Sequence, residues 1–485
     1  MSSRYNDRRI VIQGVMIGVA LLWVARLIQL QIWDSSYAIK ADNNAIERVV
    51  VYPSRGLILD REERPLVDNR IAYDVMAVYN KVKDMDTAKF CKILEIDKTT
   101  FISTLAKQSH FSNQTSPNKP FAFLKNITHT QYTKFQESLY EFPGFVVQNR
   151  GVRAYPDSLG AHLIGYMSEV SEDQMIKSKG AYMRGDYCGT TGLEKYYEKE
   201  LRGKPGIRYI LRDNMGRRKG PYENGTRDST AVSGQDLMTS VDLDVQKLAE
   251  QFLRNKRGGV IAIDPSTGEI LALASGPNYD PNALGVFNRR RNINLAALYK
   301  DPNIPLMNRV MSARYPPGST FKTGMAALEI QLGWDPNRSV ACGGGYRLGA
   351  GRKVKCHSHV GTGNISGAVQ HSCNAYFCTS FYHTLNSFPD VAQGLDSIDS
   401  YLYDYGFGRT LGIDMPSEIR GNIPTPQSYN KVHPIDKRTG KPSWNANTII
   451  SMGIGQGEVL VTPLQMVNLV QTIANRGWYY TPHLV

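Results

Sequence analysis

The sequence predicts an α+β protein tethered by one N-terminal transmembrane helix, and three stretches carry that prediction. Residues 10–33 form the apolar run near membrane-spanning length. Further on, Asp242 can cap a helix over residues 243–256, and strands over 259–264 and 269–275 follow, joined by the turn Asp264-Pro265-Ser266-Thr267-Gly268. The third stretch is Tyr315-Pro316-Pro317-Gly318-Ser319-Thr320-Phe321-Lys322, where two prolines and a glycine end an extended segment and a helix begins. Phe321, Met325, Leu328 and Leu332 then recur on one helical face, with Gly333 as the stop.

A chain of 485 residues with 41% hydrophobic content has room for two or three domains with substantial cores and is not a disordered polymer. Its formal charge of +13 calls for an anionic neighbour. No zinc-finger repeat, RNP motif or dense Arg/Lys run is present, so a nucleic-acid partner is not expected. An anionic membrane surface or a polyanionic cell wall suits the dispersed charge better.

At the amino terminus, Gly14 to Ala25 is uninterrupted by charge, Arg26 can snorkel, and Trp23 or Trp33 can sit at the headgroup level. A cleaved signal peptide is the competing reading, but no small-x-small cleavage pattern precedes Asp34. A retained single-pass anchor in membrane lipid is therefore expected. Arg4, Arg8 and Arg9 keep residues 1–9 cytoplasmic, which places everything beyond Trp33 outside the cytoplasmic membrane.

Residues 34 to about 50 read as a helix continuing off the membrane, with Ala38, Ala41, Ala45 and Ile46 along it. Pro53 to Arg61 breaks to strands and a turn, and Val75, Ala77 and Tyr79 alternate like a half-buried strand. Residues 84–140 read as helical, with candidates at 89–94, 99–106 and 131–139 around a polar loop at 109–119. His162, with no nucleophile near it in sequence, is expected to be a packed structural histidine. Glu194 and Arg202 are expected in salt bridges or turns.

Chemistry concentrates at Ser319 and Lys322. Three residues apart at a helix start, they share a face, so a hydroxyl lies beside an amine that burial would deprotonate. A solvated lysine and a capping serine are the bland alternative. The flanks decide against it: Tyr-Pro-Pro-Gly-Ser-Thr-Phe-Lys closely resembles the active-site segment of class B penicillin-binding proteins, whose Ser-x-x-Lys motif carries the nucleophile. The resemblance extends over nearly the whole chain. Its pedestal blocks are matched by Arg55-Gly56 with Asp60-Arg61, by Arg150, Arg153 and Ala161-His162-Leu163-Ile164-Gly165-Tyr166, and by Gly189 to Tyr197 with Leu201 to Gly206. Leu306-Met307-Asn308-Arg309 and the single-domain pedestal resemble the elongation-type branch rather than the division branch.

The resemblance implies a non-catalytic, dimerisation-type pedestal over residues 34–234 and a transpeptidase domain over 235–485, with helices around a mainly antiparallel sheet. It implies a D,D-transpeptidase in which Ser319 attacks the stem-peptide carbonyl and Lys322 takes its proton. Ser372-Cys373-Asn374 supplies the family's Ser-x-Asn element: Ser372 relays a proton, and Asn374 holds Lys322 and the substrate amide. Gly318, beside the nucleophile, is expected to line the substrate site. β-Lactams would acylate Ser319. With no glycosyltransferase domain apparent, the stem peptides arrive on a lipid-linked precursor polymer made by a partner, by analogy a SEDS-family glycosyltransferase. A β-lactamase-like or carboxypeptidase activity, or a β-lactam sensor or scaffold, are the rival readings.

Two features stand apart. Cys342, Cys356, His359 and Cys373 form a legitimate tetrahedral set for a structural zinc, with His357 competing for the imidazole position. Disulfides Cys342–Cys356 and Cys373–Cys378, or reduced thiols, are the alternatives. The second feature is a departure: the family's Lys-Thr/Ser-Gly strand finds only Lys437-Arg438-Thr439-Gly440-Lys441, which precedes the Gly453-Ile454-Gly455-Gln456-Gly457 turn and reads as a surface turn. A carboxy-terminally truncated form of a longer protein is therefore expected, with the second oxyanion donor beyond Val485.

Overall fold

The computed structural model describes residues 2–29, 46–110, 120–182, 186–212, 218–286, 288, 290–349, 351–434, 438, 440 and 442–485. The chain divides into two compact units. One comprises residues 1–55, 73–148 and 202–234; the other comprises 56–72, 149–201 and 235–485.

In the first unit, a helix spans Ser2–Ile28. Its described side chains begin at Ile12 and are bare, Leu22 at 71% and Trp23 at 69% exposure. Among the described residues no helix is long and apolar enough to cross a membrane. Residues 30–45, which carry the end of the expected anchor and most of the helix expected after it, lie outside the described residues.

Where that helix was to finish, the chain forms a strand instead. Ile46–Val51 pairs antiparallel with Gly206–Arg212, which pairs in turn with Arg218–Pro221. The β-branched run Val49-Val50-Val51 suits a pleated surface better than a helix, and a partner strand was in reach. The helices over the following region form as Thr87–Leu94, Lys98–His110 and His129–Glu137. A strand over Pro120–Ile127, not foreseen among them, pairs with Tyr73 to Val78. Its buried Phe123 completes a core in which Phe90 meets the rings of Phe101, Phe123, Phe135, Phe142 and Phe145. Apolar area and edge-to-face geometry both stabilise such a cluster.

The second unit is built on the hairpin Gly258–Ile263 and Ile270–Gly276. Asp242 caps the helix Leu243–Phe252 by accepting from the amides of Asp244 and Val245. That helix ends four residues before the expected stop, and Asn255 beyond it takes a left-handed φ of 57°. His483 adds a parallel bridge beside Glu269, and the helix Pro463–Ala474 carries Leu464 into the same core as Ile270 and Leu273. Arg153 and Glu194 meet at 2.8 Å in a buried ion pair. His162 is buried, with Nε2 2.7 Å from the Pro305 carbonyl, and burial lowers its pKa to about 4. It packs as a neutral structural group.

A second core surrounds the helix Lys322–Gln331 and the helix Asn374–Asn386. Phe321, Met325 and Leu328 are fully buried there, against Tyr376, Phe377 and Phe381. The 3.6-residue period seen in the sequence thus holds the helix that follows Ser319 against its neighbour.

Candidate active site and cysteine cluster

Ser319 follows a turn that favours glycine. Gly318 has φ +60°, and its N–H donates to the Gly455 carbonyl at 2.8 Å. Gly455 has φ +67°, and a Cβ there would lie 2.4 Å from the Gly318 oxygen. The Gly453–Gly457 turn therefore clamps the loop before Ser319, a contact that the sequence gives no means to infer. Gly318–Phe321 makes a single 3-10 turn, and the α-helix proper starts at Lys322. Ser319 is exposed; Lys322, one turn on, is 1% exposed.

Four oxygens surround the Lys322 amine. Nζ lies 3.2 Å from Ser319 Oγ, 2.8 Å from the Ser372 carbonyl, 3.1 Å from Ser372 Oγ and 2.6 Å from Asn374 Oδ1. The face of Phe377 lies 5.7 Å away. Burial pushes the Lys322 pKa below the ordinary lysine value, with nearby thiols pulling weakly the other way. The Ser372 carbonyl and Asn374 Oδ1 can only accept, so they would take the two N–H bonds of a neutral amine. The lone pair is then left for a hydroxyl, and Ser319 and Ser372 are the two within reach.

Ser372 and Asn374 are aimed by local backbone. Ser372 takes φ +50°, a conformation uncommon outside glycine, and this turns its carbonyl toward Lys322. Cys373 caps the next helix by accepting from the Tyr376 amide at 3.3 Å. Asn374 is held at both ends, since its Nδ2 donates to the Lys355 carbonyl at 2.8 Å. Lys355 closes the hairpin Gly345–Gly349 and Arg352–Lys355, an element absent from the expected catalytic set.

The next residue, Cys356, belongs to the cysteine cluster. Ligating atoms of Cys342, Cys356, His359 and Cys373 all lie within 4.8 Å of one another, and neither Cys342–Cys356 nor Cys373–Cys378 is joined as a disulfide. His359, not His357, is in the group. Its Nδ1 lies 2.6 Å from the Val360 carbonyl, which can only accept, so the proton sits on Nδ1. Nε2 then keeps its lone pair, and it is buried without a hydrogen-bond partner. Two amides, of Ala375 and Tyr376, point at the sulfurs of Cys356 and Cys373. An orphaned imidazole nitrogen beside three sulfurs, two of them receiving N–H bonds, fits a tetrahedral zinc. Of the Lys437–Lys441 segment only Arg438 and Gly440 are described, and Gly440 has the φ of +67° suited to a turn.

With this geometry established, the likenesses to known proteins are informative. Residues 50–239 match the model of the penicillin-binding protein dimerisation domain, and residues 258–485 match that of the penicillin-binding protein transpeptidase domain. The peptidoglycan D,D-transpeptidase MrdA of Acinetobacter baumannii is 32% identical over 496 residues, covering 99% of this chain and 69% of its own length. Among solved structures, a penicillin-binding protein 2 from Helicobacter pylori in complex with MreC superposes with TM-score 0.72 at 24% identity, over 91% of this chain and 78% of that one. A chain from a peptidoglycan synthase complex that coordinates polymerization and crosslinking gives TM-score 0.68 at 25% identity, over 98% and 79%.

Proposed function

The chain belongs to the penicillin-binding proteins, as an elongation-type peptidoglycan D,D-transpeptidase of the serine class, and from that premise we propose how its own residues carry the reaction. The observation that carries the reading is the dry amine of Lys322, 3.2 Å from the Ser319 hydroxyl. Neutral Lys322 accepts the Ser319 proton as Oγ attacks the carbonyl between the two terminal D-alanines of a stem peptide. Ser372 Oγ, 3.1 Å from Nζ, passes that proton to the departing D-alanine nitrogen, and the C–N bond breaks to leave an ester on Ser319. An amine on a neighbouring stem then attacks the ester, giving up a proton along the same path and freeing Ser319. Asn374 fixes the lysine and offers the substrate amide a polar edge; Gly318 keeps the approach to Ser319 free of a side chain.

Cys342, Cys356, Cys373 and His359 would hold a zinc ion whose part is structural. It would tie the Gly345–Lys355 hairpin to the start of the helix that presents Ser372 and Asn374. The helix Ser2–Ile28, with its bare apolar side chains, would serve as the membrane anchor that keeps the catalytic unit on the extracytoplasmic side. Glycan strands would come from a lipid-linked precursor polymerised by a SEDS-family partner.

The test uses the full chain with its polymerase partner and lipid-linked precursor. Cross-linked muropeptide dimers are expected from the parent and not from Ser319→Ala, while polymer accumulates in both. Dimers formed equally by Ser319→Ala would overturn the reading.

A further inference from the structure

The hairpin beside the site carries charge that nothing in the described structure answers. Between Asp335 and Asp390 the sequence holds five arginines and lysines and no aspartate or glutamate. Four of them, Arg347, Arg352, Lys353 and Lys355, lie on the hairpin and are exposed. The register puts Arg347 directly opposite Lys353 and Gly345 opposite Lys355, so Arg347, Lys353 and Lys355 share one face. The other face, Tyr346, Leu348 and Val354, packs on the core.

Like charges paired across two strands are destabilising, and a two-stranded ribbon has little stability to spare. Among the described residues Lys353 Nζ reaches the Gly343 carbonyl alone, and no described carboxylate forms an ion pair with any of the four. The polar contact made from the packed face is neutral, Tyr346 Oη to Asn447 Oδ1 at 2.9 Å. Three thiolates around a divalent ion would supply a single negative charge against these four cations.

The face is also continuous with the catalytic cage, since Lys355 at its root accepts the hydrogen bond that fixes Asn374. We propose that this cationic hairpin face is a substrate-binding surface of the transpeptidase, which recognises the free carboxylates of the stem peptide. The inference rests on the transpeptidase reading above. It assigns Arg347 and Lys353 to substrate recognition, outside the acylation chemistry. A carboxylate laid across the face relieves the Arg347–Lys353 repulsion, so binding should also stiffen the hairpin.

The test compares the full chain with Arg347→Glu/Lys353→Glu and Arg347→Gln/Lys353→Gln, using a soluble stem-peptide donor with free carboxylates and the same peptide with its side-chain carboxylates amidated. Acylation by a small β-lactam and the melting temperature serve as controls. Expected is a rise in KM for the free-acid donor of about tenfold in the charge reversal, equivalent to roughly one lost charge-assisted contact. A smaller rise is expected in the neutral pair, with the amidated donor little affected. The parent's KM for the free acid should climb with salt. An equal KM for both donors in every variant, or equal losses on both, would overturn the inference. Loss of β-lactam acylation in the parent itself would instead overturn the transpeptidase reading.

Discussion

Lys322 lies at the base of the site among two acceptors that cannot donate and two hydroxyls that can, and it is burial that lowers its pKa toward the base proposed for it. Its neighbour along the same helix, Glu329, shows the opposite consequence of burial. Both its oxygens are buried, and burial raises its pKa to about 8 from an ordinary 4.5, with the Ser380 hydroxyl pulling the other way. Between those two values the unfolded chain has lost a proton that the folded chain keeps. Stability contributed at this position therefore falls as pH rises from about 4.5 toward about 8. Glu329→Gln removes that slope. The melting temperature of the variant minus that of the parent should increase between pH 5 and pH 8, read by differential scanning calorimetry; a constant offset would place the ionisation elsewhere. Ser319 and Lys322 were legible in the sequence because their spacing puts them on one helical face and the Tyr-Pro-Pro-Gly flank singles that spacing out. Gly455 was not, since its role is a through-space approach of two turns far apart in the chain.

At the scale of elements, the helix Asn374–Asn386 organises the site. Its cap, Cys373, separates Ser372 from Asn374, and the Cys356 sulfur accepts from the amide of Ala375 in its first turn. A lost ligand should thus be felt at the catalytic cage. Cys356→Ser is expected to abolish stoichiometric zinc in the purified protein, lower the melting temperature by several degrees and slow β-lactam acylation about tenfold or more, since misplacement by about an ångström costs up to roughly a hundredfold. Metal analysis with calorimetry checks this; a parent protein free of metal would discard the zinc proposal. The Cys/His set was visible from residue type, but the choice of His359 over His357 was not. Spacing allows either, and the Val360 carbonyl makes the selection by fixing the proton on Nδ1. The strand at Ile46–Val51 shows the same limit. Ala38, Ala41 and Ala45 suggested a helix running into it, whereas its partner, Gly206–Arg212, lies far along the chain and left no local trace. The strand Pro120–Ile127 was hidden for the same reason.

For the whole molecule, the amino-terminal helix is the proposed anchor that would decide where the chemistry happens. Leu22→Arg puts a charge in the middle of its apolar run, an insertion cost of about 2.5–3.5 kcal/mol. Membrane fractionation should show part of the variant released from the membrane pellet, with its penicillin labelling retained; unchanged pelleting in alkaline carbonate would refute the anchor. The broad class was legible from the sequence because long apolar runs, capped helices and a Pro-Pro-Gly break are local signals. The interleaving of the two units along the chain was not, because it depends on pairings such as Gly56 N–H to the Leu201 carbonyl across more than a hundred residues. The claim on which the rest depends is that Lys322 works as a neutral base. Its most direct test is the rate of Ser319 acylation by a penicillin against pH, followed by intact mass, in the parent and in Lys322→Arg. The parent rate should rise with pH and level off well below the titration range of an ordinary lysine. The arginine variant, charged at every accessible pH, should be slower by about 10²–10⁴ with no such rise. A parent profile with its midpoint at the ordinary lysine value, or an arginine variant that acylates at the parent rate, would contradict it.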